Sequence, residues 1–236
     1  MYGLDGRNVV VTGGPGGLGV AVVRAFLDAG ATCHVPCRSP AELARFPHAG
    51  HARVVITEGV DLTDDAGVSS FYAALPSLFA SVHLAGGFAM APLTETSKAD
   101  LMHLVAMNLA TSFLCCREAA RRIVAAGSPD GGRIVNVAAK AGIEPGTAAG
   151  MAAYAATKAA VAALTQSLAQ ELVGKRILVN AIAPSILDTP ANRAAMPNAD
   201  FARWPKVDEV ARTVRFLASP ENAVTRGAIV EVYGQS

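Results

Sequence analysis

Arg7-Asn8-Val9-Val10-Val11-Thr12-Gly13-Gly14-Pro15-Gly16-Gly17-Leu18-Gly19 is the stretch that decides the fold. Its first half is a short β-branched run without polar alternation, the pattern of a central parallel strand covered on both faces. Gly13 to Gly19 break that run, and Val20 to Ala29 then carry apolar residues at helical spacing up to Gly30, a helix stop. Strand, glycine turn, helix is the context a phosphate-binding loop requires. Glycines let the backbone turn sharply and approach a pyrophosphate, and orphan N–H groups at the helix start meet its charge.

The same cycle recurs down the chain. Strand-like runs at 31–37, 53–60, 81–85, 133–137, 176–182 and 228–233 alternate with helix-like segments, and 97–126 reads as one long helix. Alternation from end to end predicts an α/β fold, a doubly wound parallel sheet in three α/β/α layers. No repeat, low-complexity tract or Ser/Pro linker divides the sequence, so residues 1–236 are expected to form a single domain. Ligands of such sheets bind outside the carboxyl ends of the strands.

Composition narrows the chemistry. With 236 residues, 52% hydrophobic and 17% charged, the chain can bury one large core. A net charge of +1 leaves no electrostatic footprint for nucleic acid or an anionic membrane, so a small-molecule substrate is the expected partner. Met1-Tyr2-Gly3-Leu4-Asp5-Gly6 leads into the first strand without a charged n-region and long apolar stretch. No apolar run is read as reaching the ~18 residues of a membrane helix, and a cytoplasmic location is expected. Cys33 and Cys37 would lie about 13 Å apart along one strand, beyond disulfide reach. Cys115 and Cys116 are neighbours on a helix, and no Cys-x-x-Cys or His/Cys ligand spacing exists, so no metal is expected.

Tyr154-Ala155-Ala156-Thr157-Lys158 lies on an alanine-rich helix, where four residues of separation stack the phenol and the ammonium on one face. A tyrosine titrates near pH ~10, and a fixed positive neighbour is expected to lower that value and make it a usable acid/base.

With the glycine turn and this pair, the chain resembles the short-chain dehydrogenase/reductase family over essentially its whole length. The resemblance implies a Rossmann-type NAD(P)-binding domain. Gly13, Pro15, Gly16, Gly17, Leu18 and Gly19 match the family's cofactor loop, and Tyr154 and Lys158 match its catalytic pair. Asp61, followed by Leu62, matches the adenine-contacting aspartate. Ala85-Gly86-Gly87 resembles the glycine motif after the fourth strand, with His83 and Leu84 where paired asparagines usually stand. His83 is therefore expected to be a satisfied polar residue of the sheet. Asn108 matches the asparagine that shapes a proton-relay water site. Pro184 to Pro190 resembles the segment closing over nicotinamide, with Ile186 and Thr189 as contacts and Ser185 in place of the usual glycine.

Cofactor choice turns on the end of the second strand, where an acidic residue would repel a ribose 2′-phosphate and an arginine would suit it. Cys37 holds the acidic position and Arg38-Ser39 follow, so NADP(H) is favoured over NAD(H).

The family normally places a serine donor at the end of the fifth strand, and the alignment puts Ala139 there, followed by Lys140. Losing such a donor costs ~3 kcal/mol of transition-state stabilisation. Dihydropteridine reductases resemble this chain in the same alanine, in Ala85-Gly86-Gly87-Phe88, and in a substrate-side loop, 187–206, containing Phe201 and Trp204. That likeness implies a reductase for a small activated carbonyl or a quinonoid, pterin-like ring, with Phe88, Ala139, Lys140, Phe201 and Trp204 in the substrate pocket. The rival reading is a dinucleotide-binding sensor or assembly protein that kept the fold and lost turnover. Apolar residues on more than one face of the long helix, and small ones along 151–173, further lead us to expect a homodimer or homotetramer.

Overall fold

The computed structural model describes residues 3–44 and 46–236, so Met1 and Tyr2 of the N-terminal stretch lie outside the described residues. In chain order the elements are β1 (Asn8–Thr12), α1 (Gly17–Asp28), β2 (Thr32–Cys37), α2 (Pro40–Leu43), β3 (Val54–Glu58), α3 (Asp65–Ala73), β4 (Ala80–His83), α4 (Lys98–Leu104), α5 (Thr111–Ala126), β5 (Gly132–Val137), α6 (Lys140–Ile143), α7 (Ala152–Glu171), β6 (Ile177–Pro184), α8 (Pro190–Ala195), α9 (Val207–Leu217) and β7 (Ile229–Val232). The strands form one parallel sheet in the order β3-β2-β1-β4-β5-β6-β7.

Burial on both faces explains the unbroken apolar runs. Val9 and Val11 point to the layer holding α1 and α9, where Val22, Phe26, Val214 and Leu217 are buried. Val10 points the other way, to Phe71 and Tyr72 of α3, Cys115, Ala119 and Ile123 of α5, and Ala169 of α7. A parallel sheet with helices on both sides and strand order reversing between β1 and β4 opens a crevice at the carboxyl ends of those two strands.

The expected strands all form, with shifted ends. β4 stops at His83 rather than at residue 85, because Thr12 Oγ1 accepts a hydrogen bond from Ala85 N (3.2 Å) and draws the chain out of the sheet. β6 continues to Pro184, which pairs with Val232. The long helix is interrupted by a π-helical turn at Val105–Ala110, and together Lys98–Ala126 span 29 residues, within which an 18-residue stretch has mean hydropathy 1.4. By length and composition alone that helix is sufficient to cross a membrane, although its longest stretch without a charged residue, Leu101 to Cys116, stays short of ~18 residues. Charged residues interrupt it in sequence, yet its windowed average stays high. In the fold its apolar side chains Cys115, Cys116, Ala119 and Ile123 belong to the core over the sheet.

Candidate functional site

The glycine turn between β1 and α1 is shaped by close approach. Gly13 has φ +65°, and a Cβ there would fall 2.8 Å from Ala85 N. One on Gly19 would fall 2.1 Å from Gly13 O. Gly16 and Gly17 are instead exposed, and a Cβ on Gly16 would meet only Gly13 O, at 3.1 Å. The 12-residue α1 thus begins at an open backbone cradle whose N-cap, Gly16, brings no side chain, so its first N–H groups and the positive end of its dipole face the crevice. That cradle fits a pyrophosphate. Leu18 packs on the core beneath it.

Beyond the end of β3, Asp61, expected at the adenine, accepts from Thr63 N (2.9 Å) and Thr63 Oγ1 (2.7 Å), bonds that hold its carboxyl below the usual value. Cys37 is buried, which pushes its thiol up to about 11 and keeps it neutral. Arg38 is exposed just beyond β2, with its N–H donating to Glu42 Oε2 (3.2 Å), and Ser39 is the N-cap of α2.

The structure brings Tyr154, Lys158 and Asn108 to the mouth of the same crevice. Asn108, on the π turn, is 1% exposed. Its Oδ1 accepts from Gly87 N (2.9 Å), while its Nδ2 donates to Gly87 O (3.1 Å) and Thr157 Oγ1 (3.1 Å). Ser112 Oγ and Thr111 Oγ1 cap the carbonyls of Asn108 and Met107, which the widened turn releases. A Cβ on Gly86 would lie 2.7 Å from Asn108 Oδ1 and 3.6 Å from Lys158 Nζ, so only glycine lets these groups converge. Lys158 Nζ donates to Val137 O (2.9 Å), and burial lowers its pKa to about 8.

The expected lowering of the Tyr154 pKa is corrected. Burial pushes its hydroxyl up to about 12, because the Lys158 ammonium, 6.0 Å from the ring centre, is directed at Val137 O. Desolvation outweighs a charge at that distance.

The residues expected around the substrate divide into separate groups. Phe88, 62% exposed, packs edge-on against Tyr154 with ring centres 5.0 Å apart, and a cavity of about 240 Å³ lies beside Tyr154 between Ala89, Leu104 and Met151. Ala139 is buried at the N-cap of α6. Lys140 turns its ammonium to Ser236 O (3.0 Å) and the Tyr233 ring. Phe201 and Trp204 pack against each other in the loop after α8, ring centres 4.9 Å apart and planes tilted by 52°, and Trp204 is buried. Thr189 caps α8 through Asn192 N and lays its methyl over Gly17, where a Cβ would be 3.0 Å away. Ile186 is exposed beside it, after Pro184 at the end of β6.

His83 is 2% exposed and fully partnered, as expected: Nε2 meets Ser81 Oγ (2.8 Å) and Nδ1 meets Asn136 Oδ1 (2.8 Å). Asn136 Nδ2 donates onward to Thr165 Oγ1 of α7 (3.0 Å), so Oδ1 is the acceptor and the Nδ1–H tautomer follows. Sequence reasoning missed Thr12 and Thr157, ordinary threonines whose partners lie 73 and 49 residues away. It also missed the ion pairs of Asp188 with Arg193 and Lys206.

A family model described as short chain dehydrogenase matches residues 7–200. Galactitol 2-dehydrogenase of Rhizobium johnstonii is 32% identical over 98% of this chain and 95% of its own length. A short-chain type dehydrogenase/reductase from Mycobacterium ulcerans superposes with a TM-score of 0.88 at 26% identity, over 98% of this chain and 90% of that one. The NADP-bound structure of ElxO shares the fold at 24% identity, with a TM-score of 0.86 over 97% of this chain and 98% of that one.

Proposed function

The chain belongs to the short-chain dehydrogenase/reductase family, an NAD(P)-dependent oxidoreductase family, and on that premise we propose that it reduces a small activated carbonyl or quinonoid substrate, with Tyr154 as proton donor. The observation that carries the reading is the convergence of Gly86, Asn108, Tyr154 and Lys158 beside the open cradle of α1, with Ala139 where a donor is expected. When bound, the nicotinamide dinucleotide supplies a hydride.

This chain's own residues hold the proton and the geometry. Tyr154, with a pKa near 12, stays protonated at neutral pH and can release its proton to the substrate oxygen or nitrogen that takes up the electron pair when the hydride adds. Lys158, with a pKa near 8, remains largely charged and is aimed by Val137 O. Asn108 fixes Gly87 against α7. Removing its amide would leave the Gly87 N–H unpaired at a cost of about 1–3 kcal/mol. The N–H groups of α1 hold the pyrophosphate and Asp61 the adenine end. Arg38 supports NADP(H), and Glu42, held on its own N–H, is the neighbouring carboxylate that a 2′-phosphate would have to avoid.

Ala139 offers no hydroxyl to polarise a simple ketone. A quinonoid ring, pterin-like in the closest chemistry, is already electrophilic and needs only hydride and proton. Phe88 against Tyr154 suits a flat ring, whereas a polyol of the galactitol type would need several polar partners. We read 187–206 as the substrate-side loop of one domain. The exposed Phe113 and Val124 beside a groove between α5 and α7 make a face for a second copy of the chain, giving a homodimer or homotetramer.

A screen with NADPH and NADH against quinonoid dihydropterin, quinones, diketones and simple ketones tests the reading. Turnover is expected on the quinonoid or diketone compounds. Dinucleotide binding without turnover on any of them would favour the sensor.

A further inference from the structure

The cavity of about 240 Å³ beside Tyr154 is built from three stretches of chain that pin one another. Ala91 N donates to Gly150 O (2.9 Å), which ties the segment after β4 to the turn before α7. That turn needs its glycine: Gly150 has φ +73°, and a Cβ on it would press to 3.2 Å from Met90 Cε. The start of α4 supplies the third wall, fastened by Ser97, whose Oγ accepts from Asp100 N (3.1 Å). Ala89, Leu104 and Met151 make the walls largely apolar, and the polar side chains among them are Tyr154, Thr96 and Asp100. Among the described residues, no lysine, arginine or histidine lines this cavity.

Those three side chains differ in what they can offer a ligand. Tyr154 has a proton to give. Thr96 spends its single hydroxyl proton on Pro92 O (3.0 Å), so what remains to it is lone pairs. Asp100 takes both Ser97 bonds, from N (3.0 Å) and Oγ (2.6 Å), on Oδ2 alone, which leaves Oδ1 without a protein partner among the described residues. Those bonds, and to a lesser degree the nearby His103, hold its carboxyl below the ordinary range, so it is charged at neutral pH. Capping the helix therefore uses only half of the carboxylate. We propose that Asp100 is a specificity-determining residue, whose spare carboxylate oxygen acts with Thr96 to select, for the cavity beside Tyr154, a flat substrate bearing an amino or amidine group away from its reacting atom. This rests on Tyr154 being the proton donor of the reduction. The size agrees, because an apolar cavity of ~150 Å³ holds benzene, and about 240 Å³ takes one ring with a few substituent atoms. An anionic group would meet lone pairs and a like charge there, with no cation in the walls to offset them.

Benzamidine and benzamide, alike in shape and different in charge, are the probes. In an NMR titration of the full chain, benzamidine should bind about fivefold more tightly than benzamide, the scale of an exposed ion pair, and Asp100→Asn should bring the two within about twofold. Asp100→Ser serves if Asp100→Asn does not fold. Ser97→Ala, which removes the cap and keeps the carboxylate, should retain the preference. Turnover gives a second readout with NADPH, from 1-phenylpropane-1,2-dione and its para-amidino derivative. The ratio of kcat/KM for the amidino compound to that for the unsubstituted dione should be about fivefold higher in the parent than in Asp100→Asn, a comparison in which the ring's own reactivity cancels. Equal binding of benzamidine and benzamide to the parent, a preference that survives Asp100→Asn or is lost equally in Ser97→Ala, or a dione ratio that does not change would overturn the assignment. Where neither dione is reduced, the titration alone decides what Asp100 selects; a substrate screen without any turnover fails the reductase reading and leaves that titration standing.

Discussion

Lys158 Nζ sits 6.0 Å from the centre of the Tyr154 ring and donates to Val137 O at 2.9 Å, so the ammonium is aimed by the fifth strand rather than by the phenol one helical turn before it. Burial separates the two groups' titrations, lowering Lys158 to about 8 and raising Tyr154 to about 12. Above pH 8 the lysine loses its charge while the tyrosine keeps its proton. The rate of substrate reduction, followed as kcat/KM against pH, should therefore fall tenfold per unit above about 8. A profile flat to pH 10 would show that the lysine charge is not used.

His83 gives the fold a pH dependence of its own. Burial lowers its pKa from 6.5 to about 4, so the unfolded chain binds the extra proton first. Stability is whole above 6.5 and is lost as pH falls from 6.5 through 4, by about 3 kcal/mol in all. His83→Asn keeps a donor toward Asn136 and removes that titration. Urea unfolding between pH 7 and 4.5 should show a slope in the parent that the variant lacks.

Ala139→Ser separates two kinds of reductase. Ala139 is the extended N-cap of α6 (φ −163°, ψ 157°), a position where serine is favourable, so the variant should fold with stability unchanged or raised by up to about 1 kcal/mol. If the site is built for an activated ring, quinonoid turnover should stay level or fall. A tenfold gain in kcat/KM on a simple ketone, with no quinonoid turnover in either protein, would identify a disabled carbonyl reductase instead.

Arg38→Ala should weaken NADPH selectively, by about 1.5–3 kcal/mol for a lost charged hydrogen bond, and leave NADH near its parent value. Dissociation constants measured at one fixed salt concentration check this. Equal losses for both cofactors would remove Arg38 from the 2′-phosphate site.

How much of this was legible in the sequence depends on the range of the interaction. Val9, Val10 and Val11 announce a strand buried on both faces because the pattern is local, and all seven strands were read within a few residues of their ends. Tyr154 and Lys158 are four apart on one helix, so their shared face was legible as well. The direction in which Lys158 points was not, because Val137 is 21 residues away. The π turn at Asn108 was hidden for the same reason: it is stabilised by Gly87 and Thr157, partners that only the fold assembles. The sign of the Tyr154 shift was misread because spacing reveals a neighbouring charge and says nothing of burial.

The central claim is that Tyr154 delivers the proton in a dinucleotide-dependent reduction. Its most direct test is Tyr154→Phe, assayed with the substrate that the screen identifies and titrated in parallel with NADPH. The account expects kcat to fall by about 10²–10⁴-fold, the scale of a lost general acid, with the NADPH dissociation constant within about twofold of the parent. Turnover within tenfold of the parent, with the cofactor still bound, would contradict it.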